Sequence, residues 1–137
     1  MREVMFRGKR LDDGKWITGY LFKSWGKAYI LWGTTNGVPN MKEVDPKTVG
    51  ESVNLLDKEH KLIFEGDVVN QETKFGIITG YILYLPQECG YVIVFQNSDS
   101  RLGHRSTGSG YEQDSSLEII GNIYDSPRLL PWHKEQA

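Results

Sequence analysis

Cysteine is nearly absent from this 137-residue chain: Cys89 is the only one, so no intrachain disulfide can form. That suits a reducing compartment. With no histidine or basic cluster beside it, Cys89 reads as a partly buried small apolar residue rather than a reactive thiol. Long apolar runs are missing as well. None approaches the roughly 20 residues that cross a bilayer, and residues 1–7 lack the apolar stretch of a secretory leader. The expectation is a cytoplasmic protein with no membrane partner. A charge excess of one sign is also missing: 16 Lys and Arg stand against 18 Asp and Glu, a formal net charge of −2. General nucleic-acid binders carry a basic excess, because counterion release drives that binding. Nucleic acid is therefore not the favoured partner, although Lys9, Arg10, Arg101 and Arg105 offer local basic groups.

The groups that carry catalysis are scattered. His60, His104 and His133 lie far apart and share no metal-ligand spacing. His104 and Ser106 are close, but no Gly-x-Ser-x-Gly elbow frames them. Residues 103–110 have the glycines of a phosphate loop, yet Ser109 and Gly110 stand where Lys and Ser/Thr are required. Glu65 and Asp67 pair two carboxylates, and their tight-turn setting accounts for them without acid–base or cation chemistry. No catalytic, metal or cofactor-binding residue is assigned. The expectation is a protein that is not an enzyme and needs no cofactor.

What is present points to sheets. Glycine is common, at 15 residues, and 12% of residues are aromatic. With 39% hydrophobic and 25% charged residues, the chain has ordinary globular composition. Its length fits one domain. Strands are expected over 4–7, 16–22, 28–32, 53–56, 62–64, from 68 on, over 76–85 and 91–95, and over 117–120 and 122–124. Asp12-Asp13-Gly14 and residues 24–27 make turns, and 33–40 is a loop. Asp45-Pro46-Lys47-Thr48-Val49-Gly50 reads as one helical turn, capped by Asp45, started by Pro46 and stopped by a left-handed Gly50. Residues 97–114 form a long polar loop, and Gly121 marks a bulge or bend. Gly66-Asp67-Val68-Val69 followed by Gly76–Gly80 reads as part of a small barrel. The fold expected is mainly β, a small β-barrel with SH3-like elements, short helical turns and the long polar loop. It comprises one domain over 1–125 and a tail over 126–137.

The first third is rich in aromatics. Alternation along 16–21 places Trp16, Thr18 and Tyr20 on one face and Ile17, Gly19 and Leu21 on the other. Trp16 and Tyr20 are the candidate interaction surface, with packing in a core or interface favoured over ligand stacking.

Four blocks in order span the chain: Met1 to Lys9 with Gly14-Lys15-Trp16-Ile17-Thr18-Gly19-Tyr20-Leu21; Val44-Asp45-Pro46-Lys47-Thr48-Val49-Gly50; Asp57-Lys58 with Ile63-Phe64-Glu65-Gly66-Asp67-Val68-Val69; and Glu118-Ile119-Ile120-Gly121-Asn122-Ile123-Tyr124-Asp125-Ser126-Pro127. Together they resemble the YopX family of phage and prophage proteins. Residues 71–116 carry no matching motif. Where the family often has Asn-Gly at the central turn, this chain has Glu59-His60, which resist positive φ. The resemblance implies a phage or prophage origin, a β fold with SH3-like elements and homo-oligomerisation, with no activity to carry over. A host or phage protein is the further partner expected. The shared residues Asp45, Pro46, Gly50, Glu65, Gly66, Asp67, Gly121, Asn122 and Tyr124 are of the types that turns and cores need. The leading expectation is an accessory protein acting by binding or self-assembly, and the alternative is a small nucleic-acid-binding SH3-like module.

Overall fold

The computed structural model describes residues 5–102 and 112–133. It is mainly β, and no α-helix occurs among the described residues. The chain divides into two compact units, with the boundary between Ser52 and Val53.

The first unit holds β1 (Phe6–Lys9), β2 (Trp16–Ser24), β3 (Lys27–Thr35), β4 (Val38–Val44), a 3-10 turn at Pro46–Thr48 and the first residues of β5 (Gly50–Leu56). Its strands run antiparallel in the order β5-β1-β2-β3-β4. Two-residue turns join β2 to β3 and β3 to β4. Trp25 and Gly26 have φ of 54° and 77°, and Asn36 and Gly37 have 53° and 77°. Paired positive φ is the turn geometry whose twist matches the flanking strands. The expected loop over 33–40 is therefore a hairpin. Asn36-Gly37 is the strongest short hairpin signal, hidden here in a polar stretch with few strand formers. Ala28, Ile30 and Val44 are buried, with Phe6, Ile17, Leu21 and Val49 packed on them.

The end of β4 turns back to the segment after β1. Arg10 and Val44 form a single bridge, Leu11 N–H donates to the Glu43 carbonyl at 3.1 Å and Asp45 N–H to the Lys9 carbonyl at 2.8 Å. In the 3-10 turn the Asp45 carboxylate accepts from Lys47 N–H at 3.0 Å and Pro46 takes the first position. The Thr48 hydroxyl accepts from Lys9 N–H at 2.9 Å and donates to the Asp45 carbonyl at 2.7 Å. Gly50 does not stop the turn in a left-handed conformation. Val49 closes it at φ −68°, and Gly50 opens β5 opposite Arg7.

The second unit holds the rest of β5, then β6 (Leu62–Phe64), β7 (Asp67–Thr73), β8 (Gly76–Leu85), β9 (Gly90–Val94), β10 (Asp99–Arg101), β11 (Glu112–Gln113) and β12 (Leu117–Asn122). A five-stranded antiparallel sheet runs β10-β9-β8-β7-β12. β5 pairs with β6, and its end runs parallel to β11 through Leu55 and Leu56. Val53, Leu55, Ile63, Val69, Ile82, Tyr91, Ile93, Leu102 and Leu117 form its core.

Neither sheet closes into a barrel. Closure requires the first and last strands to pair along their length. The segment read as barrel, Gly66 through Gly80, instead forms β7 and β8 inside an open sheet whose outer strands are β10 and β12. In the first unit the return to β1 is a single bridge and not a ladder. The polar stretch 97–114 is also not wholly loop, since it supplies β10 and β11. Residues 103–111 lie outside the described residues. The β12 register slips between Ile119 and Gly121, placing the expected bulge beside that glycine. Beyond residue 125, Leu130 is buried and the His133 ring lies 4.6 Å from that of Tyr81.

At the central turn His60 sits at φ 64°, the left-handed region that a β-carbon disfavours. His60 is exposed, so little packing offsets this strain. Replacing His60 with glycine is expected to stabilise the fold by about 1 kcal/mol. Chemical denaturation would show an unchanged slope and a raised midpoint.

Candidate functional site

Pairing across β1–β4 fixes which side chains share the outward face of the first unit. Thr18 lies opposite Arg7 and Trp16 opposite Lys9. Tyr20, Leu31 and Met41 form one row, and Phe22, Tyr29 and Glu43 the next. Tyr20 is 46% exposed, Phe22 51% and Met41 43%. The Phe22 and Tyr29 rings lie 6.1 Å apart. The face is thus an aromatic and aliphatic strip across three strands, with Arg7 and Lys9 at one border and Glu43 at the other. A soluble monomer seldom leaves such side chains contiguous and open.

Trp16 and Tyr20 fall on this face, on the side that alternation assigned. Trp16 is half-buried. The Arg7 guanidinium lies 4.7 Å from the centroid of its ring and the Lys9 ammonium 5.8 Å. That cation–π cover commits Trp16 to its neighbours. Tyr20, Phe22, Leu31 and Met41 form the outward apolar strip. Phe22 and Met41 carry no sequence signal of their own. The strand register that unites them across β2, β3 and β4 appears only once Asn36-Gly37 is recognised as a hairpin.

The basic residues behave differently from expectation. Arg10 is held by its own turn, its Nε and Nη2 each 2.9 Å from an Asp12 carboxylate oxygen. The bond from Arg10 lowers the Asp12 carboxyl to about 2. Arg101 donates to Glu88 at 2.6 Å. Arg105 lies outside the described residues. By contrast, Lys23 and Lys27 are exposed and not ion-paired to any described residue. They flank Trp25 at the tip of the β2–β3 hairpin. Trp25 is 98% exposed. Lys23, Ser24, Trp25, Gly26, Lys27, Ala28 and Pro46 line a cleft of about 340 Å³.

The residues of the shared blocks sit where the backbone turns. Glu65 Oε2 accepts from Tyr84 N–H at 3.1 Å, and buried Asp67 accepts from Phe64 N–H at 2.8 Å. Gly66, at φ 92°, donates to the Ile82 carbonyl and accepts from Ile123 N–H, both at 2.9 Å. Asn122 Oδ1 accepts from the N–H groups of Tyr124 and Asp125 at 3.0 and 2.9 Å. A β-carbon on Gly121 would lie 2.8 Å from Ser126 Oγ. The structure does not bring Glu65 and Asp67 together on one ligand, since each carboxylate serves a different strand's N–H.

Asp57 stands out in the sequence only as part of a shared block, yet its carboxylate is closely held. It is fully buried, and Oδ1 accepts from Glu59 and Lys61 N–H and Oδ2 from Ile119 N–H, all at 2.9 Å. Burial pushes its carboxyl upward, but the three N–H donors outweigh this and hold it below the ordinary value.

Cys89 corrects its expectation. It is exposed at φ 52°, closing the 3-10 turn Pro86–Glu88. His60 is exposed and His133 half-buried against Tyr81, while His104 and Ser106 lie outside the described residues. No cluster of three or more His, Cys, Asp or Glu able to hold a metal occurs among the described residues. No helix among them is long and apolar enough to cross a membrane.

Comparison with curated proteins finds no match. A family model described as YopX protein matches residues 5–131, from just before β1 to the turn after Leu130, and the chain belongs to the YopX family.

Proposed function

We propose that this chain is a phage or prophage accessory protein that works by binding rather than catalysis, and that the outward face of β2–β4 is its self-assembly surface. The observation that carries this reading is the strip of Tyr20, Phe22, Leu31 and Met41, apolar and partly exposed on one face. Burying exposed apolar area stabilises association by roughly 25 cal/mol per Å² before the costs of ordering. Size-exclusion chromatography with light scattering at micromolar concentration is expected to give a mass above that of one chain. Phe22→Glu is expected to return it to a monomer with an unchanged circular-dichroism spectrum. A wild-type monomer at that concentration would count against self-assembly. A tagged pull-down from host cells, with and without nuclease, then separates a retained host or phage protein from a nucleic-acid-borne one.

A second reading, a small nucleic-acid-binding module, is favoured by one observation. Between Glu3 and Ser52 the chain has eight Lys and Arg against six Asp and Glu, a positive first unit in a chain of net charge −2. Salt-dependent binding of single-stranded or duplex DNA and RNA tests it, and no binding at low salt would remove it.

A further inference from the structure

Trp25 combines two unfavourable choices. Its indole is 98% exposed, with no described ring or side chain stacked on it, and its backbone is left-handed at φ 54°. The next hairpin of the same sheet meets the same backbone need with Asn36-Gly37, the favoured pair for such a turn. Tryptophan improves neither the turn nor the core here. The surroundings suggest what it faces. Lys23 and Lys27 stand on either side, without ion pairs to described residues. The indole, both lysines and the apolar Ala28 and Pro46 line the cleft of about 340 Å³.

We infer that the Trp25 hairpin and its cleft bind single-stranded nucleic acid, with a base stacked on the indole and the flanking phosphates on Lys23 and Lys27. The inference rests on the second reading above and gives it a site. An exposed aromatic accepts any base because every base has a π-face, and paired ammonium groups track the backbone. A membrane surface fits less well. Trp25 is flanked by Ser24 and Gly26, so a single indole is all the apolar surface that the tip would insert.

The test uses the full chain, a short labelled oligothymidylate and fluorescence anisotropy, at about 50 and 200 mM NaCl. Trp25→Asn removes the indole while giving the turn a residue that it prefers, so the fold is kept and thermal stability is expected to rise. Binding is expected at the lower salt and to weaken about ten-fold in Trp25→Asn, the scale of one lost stack. Trp25→Phe should recover part of it. Lys23→Glu with Lys27→Glu should abolish binding. Equal binding by wild type and Trp25→Asn would overturn the site and leave the second reading standing. No binding at low salt would overturn both. Co-sedimentation with phosphatidylglycerol-containing vesicles that Trp25→Asn abolishes, without oligonucleotide binding, would reassign the hairpin to a membrane surface and also overturn it.

Discussion

Asp57→Ala is expected to destabilise the fold by about 4 kcal/mol, enough to leave a marginal protein substantially unfolded. The carboxylate is fully buried and accepts three backbone N–H groups, two from its own turn and one from Ile119 on β12. Alanine would leave all three donors without that acceptor. Asp57→Asn would do less harm, about 2–3 kcal/mol, because one oxygen survives while the amide NH₂ faces an N–H. The charge adds a pH signature. The folded Asp57 carboxyl lies below its ordinary value, so between the two values the unfolded chain binds more protons. Its contribution is therefore complete above the unfolded value near pH 4 and is lost as pH falls through the lower, folded value. Urea denaturation from pH 7 down to pH 2 should show the gap between wild type and Asp57→Asn narrowing only below about pH 4. A gap independent of pH would mean that the charge contributes nothing.

Gly80→Ala is expected to cost about 3 kcal/mol although it adds one methyl group. Gly80 lies in β8, where a β-carbon would come 2.5 Å from the Val94 carbonyl oxygen and 2.8 Å from both Ile93 Cγ2 and Phe95 Cδ1. Two of those three atoms belong to β9, the partner strand of β8, and one of them is backbone. A side chain can change rotamer, but the Val94 carbonyl can move only by shifting β9 and the Ile93 side chain that β9 places in the core. At roughly 3–5 °C per kcal/mol for a chain of this size, the melting temperature should fall by about 10 °C. A change under about 2 °C would mean that the two strands separate freely at this point.

Local chemistry was legible where a few residues decide the backbone. Asp45-Pro46 starts a turn because a short carboxylate can reach the N–H two residues on and proline needs no donor. Gly76–Leu85 reads as a strand from its Ile and Tyr density, and the alternation along β2 sorted Trp16, Thr18 and Tyr20 from Ile17 and Leu21. What failed was whatever depends on which strand lies beside which. The barrel expected from Gly66 through Gly80 was a statement about closure, and closure is decided by β12 joining β7 from far along the chain. Asp57 shows the same division within one residue. Its bonds to Glu59 and Lys61 are a local turn pattern, but the bond from Ile119 has no local signature. Trp25 lay in an expected turn, yet only the structure shows its indole uncovered. Phe22 and Met41 join one strip through two hairpin registers, one of which a polar, glycine-rich stretch concealed.

The placement of β12 beside β7 also orders the events of synthesis. In the first unit, the β1–β2, β2–β3 and β3–β4 pairings join immediate chain neighbours, and such contacts form early because they close short loops. In the second, β7 gains β8 at once, while its other edge waits for Leu117–Asn122 to leave the ribosome. Throughout that interval Val68 and Val69 lie beside an open row of backbone donors and acceptors, a template for any passing strand. Every nascent copy passes through this state, so at high expression, with many ribosomes on one message, the vulnerable partner is the neighbouring nascent chain.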